Sequence, residues 1–174
     1  PLKTDKGWLV VYCHMQRYGH SDQVFGIEAI LLDLENPRNI VGRTKGPFMV
    51  PEMYYEQVGH VPHTIFPTGA LIRDKKLEVY YGATDTHCAI ATIPLENLLE
   101  SMSGDSPKSC KADSPKSCKA NEKNAMKRFP GNPIMTPRPG VLWESGGVIN
   151  PAAMDLDGKP HLLYRAVAAG NVST

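Results

Sequence analysis

The sequence predicts an all-β protein built from many short strands. Apolar and β-branched residues occur in short runs, turn residues separate these runs, and only one segment has a helical pattern. Short strands at regular spacing are typical of a β-sandwich, a β-barrel or the blades of a β-propeller. The strand pattern alone leaves all three architectures open.

Five strand candidates precede residue 103, and they cover residues 7–14, 24–34, 63–72, 77–84 and 87–95. The polar segment 73–76 joins two of them and is suited to a hairpin. In the strand that follows it, Leu77, Val79 and Tyr81 share one face and Glu78 and Tyr80 the other. Residues 95–102 predict at most two turns of helix.

The second half of the chain repeats this style. Asp157 and Gly158 mark a tight turn, and the apolar run after them, PHLLYRAV, predicts a strand. The two halves therefore predict the same class of structure.

The composition is that of a soluble globular protein of about one domain. The chain has 174 residues, of which 41% are hydrophobic and 21% charged. A net charge of +1 argues against a general nucleic-acid binder and gives no reason to expect a membrane surface as partner. No apolar run approaches the roughly 18 residues that span a bilayer. The sequence starts at Pro1, directly before a strand-like segment, and we interpret this start as a cut end.

The four cysteines do not form a zinc-binding pattern. Cys110 and Cys118 are eight residues apart with no histidine nearby, and Cys13 and Cys88 lie in apolar strands, where cysteine acts as a small hydrophobic residue. We therefore expect no metal and no disulfide, and a cytoplasmic location.

A low-complexity segment separates the two halves. The octapeptide DSPKSCKA occurs twice in succession, from Asp105 and from Asp113, and residues 103–128 contain almost no large apolar side chain. Such a segment buries too little surface to offset its ordering entropy. The sequence predicts three parts: strands over 1–102, a linker over 103–128 and strands over 129–174.

Both flanks of this linker resemble the glycoside hydrolase family of β-mannoside phosphorylases and related β-mannosidases. The first part contains PLKTDKGWL, FPTGA and YYGATDT, which resemble the last blades of that family's five-bladed β-propeller. The second part contains GNPIMTP, NPAA and LLYRA, which resemble its opening blade. The resemblance implies a partial five-bladed propeller of about three blades.

The order of these motifs is the reverse of the family's order. Two hypotheses explain it: a circular permutation in which the linker joins the old termini, or a chain that spans the junction of two adjacent copies. Since each blade needs about 40 to 50 residues, about two blades are missing. We expect another copy or a larger polypeptide to complete the ring.

The resemblance also implies a site. Lys3 and His14 match positions that contact phosphate in the family. The family usually has histidine directly after tyrosine, whereas here Cys13 stands between them, so His14 is shifted by one residue from the family position. Asp85, Asn150 and Arg165 match positions that bind the sugar. Two departures weaken the match, because Pro151 replaces a small polar residue and Phe25 replaces a tyrosine.

The implied activity is phosphorolysis of β-mannosidic bonds to give mannose 1-phosphate, with inorganic phosphate as co-substrate and no cofactor. The expected partners are a mannoside oligosaccharide and phosphate. The family's general acid lies in a Glu-Asp-Pro-Arg motif that this sequence lacks, so we expect the chain alone to be inactive. Two alternatives remain open: a β-mannoside hydrolase, and a non-catalytic carbohydrate-binding or structural piece.

Overall fold

The computed structural model describes residues 1–17, 19–20, 23–102 and 126–170. In this part of the chain the strands form three separate antiparallel sheets, accompanied by two short α-helices and one 3-10 turn. No helix within the described ranges is long and apolar enough to cross a membrane. The expectation of an all-β protein is confirmed.

The first sheet, sheet A, is a meander of four strands. These are β1 (Leu2–Lys3), β2 (Trp8–Gln16), β3 (Val24–Leu32) and β4 (Ile40–Arg43), and each pairs with the next in the chain. The long pair β2–β3 runs without a register shift from Trp8 opposite Leu32 to Gln16 opposite Val24. The two long strands of sheet A, β2 and β3, therefore lie where the sequence predicts strands, at residues 7–14 and 24–34.

The second sheet, sheet B, takes three strands from before the predicted linker and one short strand from the linker's last residues. It is formed by β5 (Ile65–Arg73), β6 (Lys76–Ala83), β7 (His87–Pro94) and β8 (Lys127–Arg128), in that order. A helix of one turn, α1 (Tyr54–Gln57), precedes the sheet, and α2 (Leu95–Met102) follows β7.

Strand β8 lies within the segment that the sequence predicts as a linker. Residues 126–128, which the sequence prediction assigned to it, lie at the edge of sheet B, where Lys127 pairs with Thr92 and Arg128 with Ala91. The other linker residues, 103–125 with Cys110 and Cys118, lie outside the described residues. Their role as a linker stays a prediction.

The third sheet, sheet C, is the hairpin of β9 (Gly147–Leu156) and β10 (Lys159–Val167), preceded by a 3-10 turn, Leu142–Glu144. Asp157 and Gly158 form its turn, with φ of +53° and +75°. These angles match a two-residue hairpin turn, as the sequence predicts. Strand β9 packs against β5 and β6, so sheet C contacts sheet B through β9.

The hydrophobic core lies mainly between sheets A and B. Leu77, Val79 and Tyr81 are fully buried there, so the face they share, as the sequence predicts, is the core face of β6. Each such side chain contributes about 1.5–3 kcal/mol by leaving water. Leu98, Leu99 and Met102 of α2 and Met126, near the end of the predicted linker, enter the same core.

The structure differs from the sequence expectation in two local details. The sequence predicted one short helix, and the structure adds α1, whose four residues are too few to show a helical period. The hairpin at 73–76 has a loop of only two residues, Asp74 and Lys75, both with positive φ, because Arg73 already pairs with Lys76.

Candidate functional site

The turn between β6 and β7 carries Asp85 and lies against the beginning of β9. Thr84 and Asp85 both have positive φ, +53° and +51°. The Val148 amide donates to the Thr86 carbonyl oxygen at 3.1 Å. A Cβ atom on Gly147 would lie 3.0 Å from the Asp85 carbonyl oxygen, so glycine permits this close approach. Sheets B and C therefore meet at Asp85.

Asn150 lies two residues further along β9, in a bulge. Its φ is +54°, and the pairing steps from Ile149–Arg165 to Ala152–Leu163, so Asn150 and Pro151 together face Tyr164. The Asn150 Oδ1 atom would be 3.8 Å from a Cβ on Gly82 of β6. The bulge thus presents an exposed amide side chain above Gly82, close to the Asp85 turn.

Arg165 lies opposite Ile149 on β10, and its side chain is exposed. The structure therefore gathers three of the predicted site residues, Asp85, Asn150 and Arg165, at one end of β6, β9 and β10. Within the described part of the chain, the carboxylate of Asp85 and the amide of Asn150 have no side-chain hydrogen-bond partner. A carboxylate, an amide and a guanidinium together can accept from and donate to adjacent sugar hydroxyls.

Two contacts that the sequence prediction missed support the Asn150 bulge from sheet B. Thr68 is the extra residue of a bulge in β5, between Pro67 and Gly69, and its Oγ1 donates to the Pro151 carbonyl oxygen at 3.0 Å. A Cβ on Gly69 would lie 2.5 Å from the Ala153 nitrogen. Proline and glycine inside a strand pattern are the signal that indicates such a bulge.

A buried carboxylate supports the bulge from its other side. Glu144 is 1% exposed, and its two oxygens accept from Arg138 Nε and Nη2, each at 2.7 Å. Tyr164, which faces the bulge, donates its hydroxyl to Glu144 Oε1 at 2.5 Å. The hydrogen bonds from Arg138, and after them the one from Tyr164, lower the pKa of Glu144 to about 2. Glu144 is therefore ionised at neutral pH and fixes Tyr164.

His14 lies at the same end of the molecule as Asp85. His14 pairs with Gly26 of β3, and the residue before Gly26, Phe25, donates its amide to the His63 carbonyl at 3.1 Å. Thr64, which follows His63, accepts the amide of Thr84, the neighbour of Asp85, at 3.0 Å. His14 Nδ1 is 3.6 Å from Glu28 Oε1, and the His14 side chain is 44% exposed. The imidazole therefore reaches solvent beside a carboxylate.

Glu28 also holds Tyr12. The Tyr12 hydroxyl donates to Glu28 Oε2 at 2.7 Å. Burial, and then the hydrogen bond and charge of Glu28, raise the pKa of Tyr12 to about 12, so its hydroxyl stays protonated.

Lys3 lies apart from the other predicted residues. It pairs with Trp8 at the beginning of β2, and its Nζ is 5.9 Å from the centroid of the Trp8 ring. His14 is six residues further along β2, about 20 Å at the rise of a β-strand. The structure thus groups His14 with the Asp85 end of the molecule and leaves Lys3 at the opposite end.

A cavity of about 270 Å³ lies between one strand of each sheet: β2 of sheet A, β5 of sheet B and β9 of sheet C. Its walls expose more polar than apolar surface and come from residues 1–2, Leu9 and Val11 of β2, residues 67–70 of β5, and residues 152–153 of β9. None of the five predicted site residues lines it. Among the described residues no group of three or more histidine, cysteine, aspartate or glutamate side chains is placed to hold a metal ion.

Comparison with known proteins gives a consistent result for the first half of the chain. The profile of the beta-1,4-mannooligosaccharide phosphorylase family, glycoside hydrolase family 130, matches residues 1–104. A 1,2-beta-oligomannan phosphorylase of Thermoanaerobacter sp. (strain X514) is 33% identical over 98 residues, which are 56% of this chain and 32% of the relative. A beta-1,2-mannobiose phosphorylase of the same organism is 36% identical over 98 residues, 56% of this chain and 31% of the relative.

A solved structure is similar as well. It is the beta-1,2-mannobiose phosphorylase of Listeria innocua in complex with beta-1,2-mannobiose, with a TM-score of 0.53 and 31% identity over 59% of this chain and 28% of that one. The chain spans about a third of the length of the curated relatives it matches. Lys3, His14 and Asp85 lie within the region that the family profile matches, and Asn150 and Arg165 lie outside it.

Proposed function

The chain belongs to glycoside hydrolase family 130, the beta-1,4-mannooligosaccharide phosphorylase family, and we propose that it supplies part of the substrate site of a β-mannoside phosphorylase. Its three sheets are blades of a partial five-bladed β-propeller. The relatives it matches are β-mannoside phosphorylases. The observation that carries the proposal is that Asp85 and Asn150 lie where sheets B and C join, with Arg165 close by on the neighbouring strand β10.

In the proposed reaction, inorganic phosphate attacks the anomeric carbon of a β-mannoside. The bond to the glycosidic oxygen breaks, an acid protonates the departing oxygen, and mannose 1-phosphate forms. Asp85 and Asn150 would bind hydroxyls of the mannose ring, since their polar atoms are exposed or half-exposed and free of other side-chain partners in the described structure. Arg165 would donate to the same ring from β10.

His14 is the proposed phosphate contact nearest to this sugar site. With Nδ1 facing Glu28, Nε2 is the ring nitrogen that would face a phosphate oxygen, and the imidazolium form of His14 would donate to both. Lys3, at the other end of β2, would contact phosphate only from a separate position. The sequence contains no Glu-Asp-Pro-Arg motif, so the proposal assigns the general acid to a part of the enzyme beyond this sequence, completed by a further chain or polypeptide.

The proposal is tested by titrating the 174-residue chain with β-1,2-mannobiose, followed by NMR, with and without inorganic phosphate. Asp85→Asn replaces the carboxylate by an uncharged amide, Asn150→Gly removes the amide, and both keep residues that tolerate a positive φ. We expect each to weaken binding about tenfold, the loss of one good hydrogen bond to a ligand. Arg38→Ala, an exposed arginine in the turn between β3 and β4, is the matched control for Arg165→Ala.

Two results would contradict the proposal. One is unchanged affinity in all three site variants, and the other is the same loss of affinity in Arg38→Ala. Release of mannose 1-phosphate by the chain alone would contradict the assignment of the general acid to another part of the enzyme. Hydrolysis of the mannoside without phosphate, by the completed enzyme, would favour the hydrolase alternative.

A further inference from the structure

Arg128, the last residue of the predicted linker, binds a buried carboxylate of the first half of the chain. Its Nε and Nη2 atoms donate to Glu56 Oε1 and Oε2, each at 2.8 Å, and Glu56 is 0% exposed. The same guanidinium donates to Glu52 Oε2 at 2.8 Å and to the Val50 carbonyl at 2.7 Å. Arg128 is thus the cation that neutralises Glu56.

Glu56 in turn fixes the one-turn helix α1. Its Oε2 accepts the amides of Glu52 and Met53, at 2.8 and 3.0 Å, and its Oε1 accepts the Tyr81 hydroxyl at 2.8 Å. Burial acts to raise the pKa of Glu56, but the hydrogen bonds from Arg128, the two amides and Tyr81 together lower it. The carboxylate is therefore charged, and removing Arg128 would leave a buried charge without its partner.

The helix α1 then holds the turn that carries Asp85. The Thr84 Oγ1 hydroxyl lies within hydrogen-bonding distance of three carbonyl oxygens: that of Ala83 at 2.8 Å, and those of Tyr55 and Val58, in α1 and directly after it, at 3.1 and 3.4 Å. The Glu56 carbonyl accepts the Thr64 amide at 3.1 Å, and the Thr64 carbonyl accepts the Thr84 amide at 3.0 Å. Thr84 is fully buried and, like Asp85, has a positive φ, which a β-branched residue adopts only when its surroundings impose it.

We propose that Arg128 is a positioning residue for Asp85. By neutralising Glu56 it fixes α1, which holds Thr84 in its left-handed conformation and so sets the direction of the Asp85 carboxylate. The inference rests on the proposed function, in which Asp85 contacts the sugar. The last residue of the predicted linker thereby controls a sugar contact made by the first half of the chain, without touching the substrate.

The test uses Arg128→Lys, which keeps the charge but not the two-pronged geometry, and Arg128→Ala, with Lys127→Ala as the matched exposed control on β8. The first measurement is amide hydrogen exchange. We expect faster exchange at Thr84 in both Arg128 variants and unchanged exchange at Ala29, whose amide donates to Thr44 Oγ1 in sheet A. Arg128→Lys alone decides the result if Arg128→Ala does not fold.

The second measurement is a double-mutant cycle with Asp85→Asn, read as β-1,2-mannobiose affinity. A positioning residue acts through its target, so we expect Arg128→Lys to weaken binding about tenfold in the unsubstituted chain and not further in Asp85→Asn. A merely structural role would weaken binding equally in both backgrounds, and that result, or unchanged exchange at Thr84, would overturn the inference.

The two proposals fail in different ways. If Asp85→Asn binds the sugar as well as the unsubstituted chain does, the proposed function of Asp85 is wrong, and the exchange at Thr84 still decides whether Arg128 holds the turn. If Asp85→Asn weakens binding and the effects of the two substitutions simply add, Asp85 keeps its role and the positioning by Arg128 is wrong.

Discussion

Thr68 Oγ1 donates a hydrogen bond to the carbonyl oxygen of Pro151 at 3.0 Å and so joins two bulges that face each other. One bulge lies in β5, before the linker, and the other in β9, after it. Bulges re-aim side chains next to functional sites, and here the second one turns Asn150 toward Gly82. The geometry of the proposed sugar site thus depends on a contact between the two halves of the chain.

Replacing Thr68 by valine should destabilise the chain by about 1 kcal/mol, because the Pro151 carbonyl loses its donor while the side-chain shape is nearly kept. The measurement is urea unfolding at neutral pH. Thr68→Ser is the control, since it keeps the hydroxyl and should retain most of the stability. Equal losses in the two variants would show that the methyl group, and not the hydrogen bond, matters at this position.

Replacing Gly69 by alanine should cost about 1–3 kcal/mol, because the added methyl group meets backbone atoms that cannot move aside easily. It would lie 2.5 Å from the Ala153 nitrogen and 2.7 Å from the Pro151 carbonyl oxygen. Gly82→Ala is the matched control, since its nearest neighbour would be 3.6 Å away. Similar unfolding midpoints for the two variants would contradict the close approach of β5 and β9.

Glu144 should make the stability of the chain depend on acid pH. Its pKa in the folded chain is lowered from 4.5 to about 2, so its contribution is complete above about pH 4.5 and disappears as the pH falls through about 2. Urea midpoints between pH 7 and pH 3 should therefore fall less steeply in Glu144→Gln. Glu35→Gln, at an exposed carboxylate, should keep the steep fall. Parallel curves for Glu144→Gln and the unsubstituted chain would contradict the prediction.

The thiols of Cys13 and Cys88 should resist modification in the folded chain. Burial raises the pKa of Cys13 to about 11 and that of Cys88 to about 12. At pH 8 the thiolate fraction of Cys88 should be about 1,000-fold below that of an unperturbed thiol, and that of Cys13 about 100-fold. In a Cys110→Ser/Cys118→Ser variant, an aromatic disulfide reagent should react slowly, and fast in guanidinium chloride. Equal rates in both solvents would contradict this burial.

The strand pattern could be read from the sequence because it depends on neighbouring residues. Alternating apolar positions in β6 indicate which face is buried, and Asp157–Gly158 indicates its turn without reference to the rest of the fold. The one-turn helix α1 could not be read, since its geometry follows from the buried Glu56 carboxylate and not from a periodic pattern.

The candidate site was predicted unevenly. Asp85, Asn150 and Arg165 were chosen by resemblance, and the structure brings them together, but their roles in sugar binding stay predictions. Lys3 and His14 were chosen on the same ground, and they stand at opposite ends of β2. Glu144 and Thr68 were missed because their partners, Tyr164 and Pro151, are distant in sequence or fixed by a bulge.

The sequence by itself determined the all-β class, the long strands and the resemblance to glycoside hydrolase family 130, because local periodicity and short motifs carry that information. Only the tertiary structure decided that residues 127–128, which the sequence assigned to the linker, complete sheet B and that Arg128 reaches Glu56. The sequence around Arg128 is rich in lysine, so nothing near it indicates that its side chain is partly buried. Glu56, the partner that makes this burial favourable, lies 72 residues away in the chain. A buried ion pair is stable only when the fold supplies both charges at hydrogen-bonding distance, and one segment cannot specify that alone.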